Sequence, residues 1–504
     1  MKLEKHELTL VGLLTFLFVA PPVLSGTIKS MDEIWVYQFA RRILAGYIPY
    51  QDYSMLTLPF SAQLNTIFLR FLADELVVLR VVAILTTGAT GLLLYTTCRK
   101  LEVNKGFSLL ATLAFMYLFL QFPYNNYNWL AVGWLAGALF LETLLLRASE
   151  SPGGEKPGSG PVLLGTGFLL GLATITKQTI GMYGLLASLA FSLVGVPGWK
   201  NAGLCTRWIA LKLAGWLPVV GVELLYFWHS GAMGAFINET VAGPATFARE
   251  SYVPYTSLLH LSWPVAALAV LVPILLLALL IGSLSPRQTA NARSRYLLVF
   301  LYAAANYLVV FPMSCWVHLF LALPLSCAGL ALLLGGIPQK YLSPPGGRLA
   351  TRGAVLVVAV PLLLYTTVSF QWLLHPPHFS RLKHYQCIPM TPEKENRIRQ
   401  VCSHIARLES AGRQVYILDH RAALYLIPLD RFATKYDSLL PGSFGSSRVQ
   451  QELIAQISAS PAPAVLLPIV PTGARLRVPN EAVAYVKAHL QHVENVDMFA
   501  VYVK

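Results

Sequence analysis

The sequence predicts an α-helical polytopic membrane bundle of about eleven transmembrane helices carrying a C-terminal extracytoplasmic α/β domain. Three observations predict it. Of 504 residues, 55% are hydrophobic and only 12% charged, where a soluble protein carries about 25% charged residues. Eleven apolar runs approach or exceed the length that crosses a bilayer. The last stretch, 375–504, returns to an ordinary soluble composition. A soluble enzyme and a disordered or fibrous chain are excluded, because so little charge cannot wet a folded surface of this size. The net charge of +14 reads as cytoplasmic loops and lipid headgroup contacts, with no nucleic-acid partner. Six cysteines without a CxxC pair make neither a disulfide scaffold nor a zinc module.

The expected spans are 8–24, 76–98, 107–123, 129–146, 161–176, 179–197, 208–228, 258–284, 296–317, 318–336 and 353–374. Lys and Arg mark every second connection: Lys2 and Lys5, then Arg99, Lys100 and Lys105, then Arg147 and Lys156, Lys200, Arg207 and Lys212, Arg287, Arg293 and Arg295, and Lys340, Arg348 and Arg352. The intervening turns, such as PYNNYN at 123–128, have none or a single Lys177. The positive-inside rule then puts the N-terminus in the cytoplasm and the tail outside a plasma membrane, with the first run an uncleaved signal-anchor. Two domains follow: 1–374, a membrane domain that includes a first outside loop at 25–75, and the soluble 375–504. A second outside loop covers 229–257. In the tail, TPEKENRIRQVCSHIARLES has Ile398, Val401, Cys402, Ile405 and Leu408 on one helical face. QVYILD, PAVLLPIV and MFAVYV read as strands and EAVAYVKAHLQ as a helix.

Chemistry concentrates in the first outside loop. Asp32 and Glu33 follow the first span and open IWVYQFARRIL, a short amphipathic helix read as lying in the membrane interface. Acids at a helix start serve capping and the macrodipole or, beside a membrane, catalysis. The acid pair, the aromatic helix and the following Gly-x-x-Pro-Tyr-x-Asp resemble the opening loop of the GT-C class glycosyltransferases, the protein O-mannosyltransferase and ArnT-like group. GLATITKQTIG, CWVHLFLALPL and VYILDHRAALYLIPLDRFATKY are similar to three further stretches of that group. The family's Lys-Pro-Pro-Leu stretch is matched only by MLTLPFSAQ, which keeps Pro59 and lacks the lysine; the chain looks closer to the broad bacterial branch.

The resemblance implies an inverting glycosyltransferase that takes a sugar from a polyprenyl-phosphate carrier and hands it to a glycan, lipid or protein acceptor at the outer face, with Asp32 as general base and Glu33 beside it. The chemistry fits. A carboxylate takes the proton of the attacking hydroxyl and stabilises an oxocarbenium-like transition state, while cations stabilise the leaving phosphate. No inside loop is long enough for a nucleotide-binding domain. Lys177 is a phosphate ligand or a snorkelling lysine, and His318 a substrate-site residue or a structural hydrogen-bonder. Arg41 and Arg42 read as headgroup contacts, Arg41 also as a donor ligand. Asp52 is a turn residue or a second acid, Arg249 a substrate contact or a solvated loop charge. Arg80 is expected to snorkel, and Glu142 and Glu223 sit in spans without a named partner. A divalent metal is left open, with Asp32 and Glu33 its only candidate ligands. Cys387 and Cys402 form a candidate disulfide, against a buried apolar thiol and a free one. The competing readings are a transporter or flippase of lipid-linked sugars and an inactive scaffold of the same fold.

Overall fold

A computed structural model of the chain describes residues 5–504 except 29, 56, 150–158, 196–201, 251, 337–343, 376–377, 433, 437–446 and 470–479. Lys2, Lys156, Lys200 and Lys340 of the orientation argument fall outside the described residues. The chain divides into two units. One comprises Met1–Val23, Val81–Leu225 and Val253–Leu373, the other Leu24–Arg80, Tyr226–Tyr252 and Leu374–Lys504. The first outside loop, expected with the membrane domain, groups with the C-terminal residues instead.

Each expected span holds a helix. They are Lys5–Ser25, Leu76–Lys100, Lys105–Leu120, Tyr127–Ser149, Ser159–Thr176, Gln178–Val194, Ala202–His229, Trp263–Leu284, Ala290–Tyr307, the pair Trp316–Ala322 and Pro324–Gly335, and Pro344–Leu374. Among the described residues, seven are long and apolar enough to cross a membrane, or eight if the bent pair is one span. The chain is a multi-pass membrane protein, and length and composition mark seven or eight of the eleven expected spans. Lys105–Leu120 and Gln178–Val194 are shorter apolar helices of 16 and 17 residues, at the lower limit of about 17 for a span. The run expected at 296–317 stops as a helix at Tyr307 and continues as a short 3-10 turn, Leu308–Val310. The run at 318–336 bends by 53° before Pro324, which has no N–H to continue the ladder.

The first unit is packed backbone to backbone where glycines allow it. A Cβ on Gly167 would lie 1.9 Å from the Lys212 carbonyl oxygen, and one on Gly215 would lie 2.1 Å from that of Leu164. The helices Ser159–Thr176 and Ala202–His229 therefore touch along small residues, the usual way helices associate in lipid. Lys212, counted above as a cytoplasmic loop charge, is fully buried on the second of these helices and ion-paired to Glu142. Its ammonium also donates to Ser192 Oγ (2.7 Å) and the Ser188 carbonyl (3.0 Å). Two further acids tie helix ends. Glu7 accepts from Arg99 Nε (3.1 Å), Lys105 Nζ (2.8 Å) and the Tyr95 hydroxyl, and Glu102 binds both Arg147 and Arg295.

In the second unit, the helix Met31–Leu44 starts at Ser30, whose hydroxyl accepts the Asp32 N–H (3.1 Å). It is not an interfacial helix. Ile34, Trp35, Val36, Tyr37, Gln38, Ala40, Arg41 and Arg42 are all buried, because its aromatic face and its basic end both find protein partners. Trp35 Nε1 donates to the His420 carbonyl (3.1 Å), and Arg42 Nη2 to that of Thr434 (2.7 Å). Beyond the helix Pro392–Ser410 come strands β1 (Gln414–Ile417), β2 (Pro463–Pro468), β3 (Gln491–Val496) and β4 (Phe499–Val503). They form one sheet in the order β1-β2-β4-β3, with β1 and β2 parallel and the other pairs antiparallel. Leu453, Ile457, Ala482 and Val486 on the helices Ser447–Ala459 and Asn480–His489 cover Val465 and Leu467 of β2. β3 was not expected, since QHVENV is exposed along nearly its whole length and carries no apolar alternation.

The cysteine pairing is corrected. Cys387 and Cys402 are both free. Cys402 is buried on the apolar face of its helix and donates to the Tyr425 carbonyl at 3.2 Å, and burial pushes its thiol up to about 12.

Candidate active site

Asp32 lies in the first turn of Met31–Leu44, half-buried, with Ser30 rather than itself as the cap. The helix dipole favours a carboxylate there. Glu33, one residue on, has a different role. It is buried and held by Arg80, with Nε–Oε1 at 2.7 Å and Nη2–Oε2 at 3.1 Å. Arg80 also donates to the Gly26 carbonyl. Both groups are 2% exposed, so Arg80 does not snorkel. This fork-to-fork pair fixes the turn that carries Asp32 and turns the adjacent acids to unlike tasks. It also bears on metal binding. Both Glu33 oxygens accept from Arg80, and among the described residues no group of three His, Cys, Asp or Glu comes together.

Arg41 is 6% exposed and not at a lipid surface. Its Nε binds Asp74 Oδ2 (3.1 Å) and its Nη2 Asp430 Oδ1 (2.6 Å). His384 completes this network: its Nδ1 faces the Asp74 carbonyl at 2.7 Å, its Nε2 Asp430 at 2.5 Å. Tyr37 donates to Asp74 Oδ1 (2.8 Å), and burial, then Asp74, pushes its phenol up. Burial opposes the charge on Asp430, but Lys383, His384 and Arg41 outweigh it and hold the carboxyl at about 2. Asp52 is a turn residue: its Oδ2 accepts the Ile48 N–H at 2.6 Å. Arg249 is exposed on the helix Gly243–Glu250 of the second loop. Sequence reading missed Glu239, in a π-helical turn at Asn238–Ala242. It accepts the Ser54 hydroxyl at 2.7 Å, and burial raises its carboxyl.

The first unit holds the other candidates. Lys177 is the extended residue between the helices Ser159–Thr176 and Gln178–Val194. Its ammonium donates to Asn128 Oδ1 and lies 5.6 Å from the centre of the Tyr127 ring. Asn126 Oδ1 in turn accepts both the N–H and the side-chain amide of Asn128 (2.8 and 2.7 Å). His318 Nδ1 donates to the Met313 carbonyl at 2.8 Å, and its ring lies within electrostatic reach of Lys177. Trp316 packs on Phe122 with ring centres 4.9 Å apart. Lys177, His318 and PYNNYN thus gather at one end of the bundle. The asparagines were legible as three polar residues in one short turn, but nothing in their spacing tied them to a lysine fifty positions away. A cation backed by amides, beside a half-committed imidazole, suits an anionic oxygen.

The bundle of membrane helices and the small mixed sheet share the fold of the GT-C membrane glycosyltransferases. No family profile and no curated protein sequence matches the chain. Among solved structures, ArnT from Cupriavidus metallidurans in the apo state is similar with a TM-score of 0.61 at 12% identity, over 98% of this chain and 97% of that one. The same protein bound to undecaprenyl phosphate gives 0.57 at 13% over the same shares. The archaeal oligosaccharyltransferase AglB from Archaeoglobus fulgidus, in complex with an inhibitory peptide and a dolichol-phosphate, gives 0.56 at 12%, over 92% of this chain and 69% of that one. At such identities the likeness is one of fold.

Proposed function

We propose that the chain is a polyprenyl-phosphate-sugar-dependent glycosyltransferase acting at the outer face of the membrane. The observation that carries this reading is the end-to-end fold likeness to a protein solved with undecaprenyl phosphate. Asp32 takes the proton of an acceptor hydroxyl as its oxygen attacks the anomeric carbon. The bond from that carbon to the phosphate oxygen breaks, the configuration inverts, and polyprenyl phosphate leaves with the bonding pair. Glu33 and Arg80 act as positioning residues for this turn. In the first unit, Lys177, supported by Asn128, is the expected ligand of a lipid phosphate. No step is routed through a metal.

The test is transfer by the purified protein from a panel of radiolabelled polyprenyl-phosphate sugars, read by mass spectrometry of the product. Asp32→Asn keeps the shape and the Ser30 contact to the backbone, so its loss of turnover is expected to reach about 10² or more with donor binding retained. Wild-type turnover in that variant removes Asp32 from the mechanism. Release of no sugar from any carrier, with carrier bound, favours the transporter or scaffold reading.

A further inference from the structure

We propose that Lys394 is a positioning residue for the Asp32 turn, tying the helix Pro392–Ser410 to the link that carries the acid; the proposal rests on the glycosyltransferase reading of Asp32. The link, residues 26–30, runs from the end of the helix Lys5–Ser25 to the Ser30 cap. Two cations hold it, both from the second unit, to which the link itself belongs. Arg80 donates to the Gly26 carbonyl, and the Lys394 ammonium donates to the Ile28 carbonyl at 2.7 Å. Ser30 then accepts the Asp32 N–H at 3.1 Å. Positions 26, 28 and 30 are each tied, and Asp32 comes two residues later. Ile28 is buried, and a carbonyl in such surroundings needs a donor.

Lys394 also belongs electrostatically with the Glu33–Arg80 pair. Burial pushes its ammonium down, Glu33 opposes that and Arg80 adds to it, so all three charges act on one another beside the turn. The lysine stands on a fixed base. Thr391 Oγ1 accepts its backbone N–H at 3.2 Å and caps the helix. The next residue, Glu395, is 6% exposed and pairs with His378 Nε2 at 2.6 Å and Arg399 Nη2 at 2.5 Å.

A plain docking role does not account for this contact. The C-terminal residues are already held to the helix Met31–Leu44 by Trp35 on the His420 carbonyl, Arg41 on Asp430 and Arg42 on the Thr434 carbonyl. Lys394 adds a hold on the link ahead of Asp32. Displacing a reacting group by about 1 Å costs about 10² in rate, so a tie at this point acts on turnover. In the sequence Lys394 is one charge among six on an amphipathic helix, and nothing local connects it to Ile28.

The experiment compares full-length wild type, Lys394→Met and Lys394→Arg in nanodiscs, by amide hydrogen exchange and by transfer from the polyprenyl-phosphate sugar that the wild type uses. Lys394→Met keeps the length of the side chain and removes charge and donor. Its exchange over residues 26–33 is expected to rise severalfold while β2 stays as protected as in the wild type. Its kcat is expected to fall about 10- to 100-fold with the donor KM within about twofold. Lys394→Arg, which keeps charge and donor, should recover most of both. Unchanged exchange over 26–33 in Lys394→Met overturns the proposal, and so does wild-type kcat in that variant. Loss of protection throughout 392–504, or failure of Lys394→Met to fold, makes Lys394 a domain anchor and overturns it as well. If the wild type transfers no sugar, or Asp32→Asn turns over normally, it is the reading of Asp32 that fails, and the exchange comparison still decides whether Lys394 holds the link.

Discussion

Removing one partner of the Glu142–Lys212 pair should damage the bundle far more than removing both. Each side chain is 0% exposed, and the Lys212 ammonium spends its three donors on Glu142, Ser192 Oγ and the Ser188 carbonyl. Glu142→Leu keeps the last two and strands a full positive charge among apolar helices. Breaking one side of a buried pair costs about 3–5 kcal/mol, and Lys212→Met should cost a similar amount by stranding the carboxylate. The double variant Glu142→Leu with Lys212→Met leaves no charge to desolvate. Such replacements are neutral or stabilising by about 1–4 kcal/mol. Thermal unfolding of the purified protein in nanodiscs reads the comparison as a double-mutant cycle. If the double variant loses the sum of the two single losses, the groups are not coupled and the pairing argument fails.

Three other outcomes follow from the geometry. Arg80→Met should destabilise the second unit by about 3–5 kcal/mol, since it leaves buried Glu33 without its partner, and Glu33→Gln in that background should recover part of the loss; protease resistance of the full chain measures both. Lys177→Ala should raise the dissociation constant for a polyprenyl-phosphate donor while sparing fold stability, and unchanged donor affinity returns it to a structural role with Asn128. Asp430 sits at about 2 when folded, below the roughly 3.9 of a free aspartate. Its contribution is therefore complete above about pH 4 and lost as pH falls through about 2. Asp430→Asn should flatten acid unfolding of the second unit in that window, and an unaltered acid limb contradicts the network.

The spans and the tail were legible because their signals are local. Eleven apolar runs each hold a helix, and the amphipathic pattern of 391–410 gives Pro392–Ser410 with the expected inward face. Span lengths were less legible, because hydropathy runs through the breaks after Tyr307 and at Pro324. The site was half legible. Asp32 was placed in a helix's first turn, but Ser30, two residues earlier, is the cap. Charge partners were not legible where they lie far along the chain: Glu33 with Arg80, Arg41 with Asp74 and Asp430, Lys212 with Glu142. A basic residue beside aromatics reads as a membrane anchor in one dimension and as an ion pair in three. β3 escaped for the opposite reason, since neighbouring β4 alone specifies it.

The two acids at the helix ends give the orientation argument a time dimension. Glu7 pairs with Arg99 and Lys105, and Glu102 with Arg147 and Arg295. Orientation is read while helices enter the membrane one after another, when Arg99 can already meet Glu7 but Glu102 must wait for the helix Ala290–Tyr307 to arrive. A basic residue can thus act first as an address label and later as a rivet. Its charge is visible to the inserting machinery and is held by a carboxylate in the finished fold.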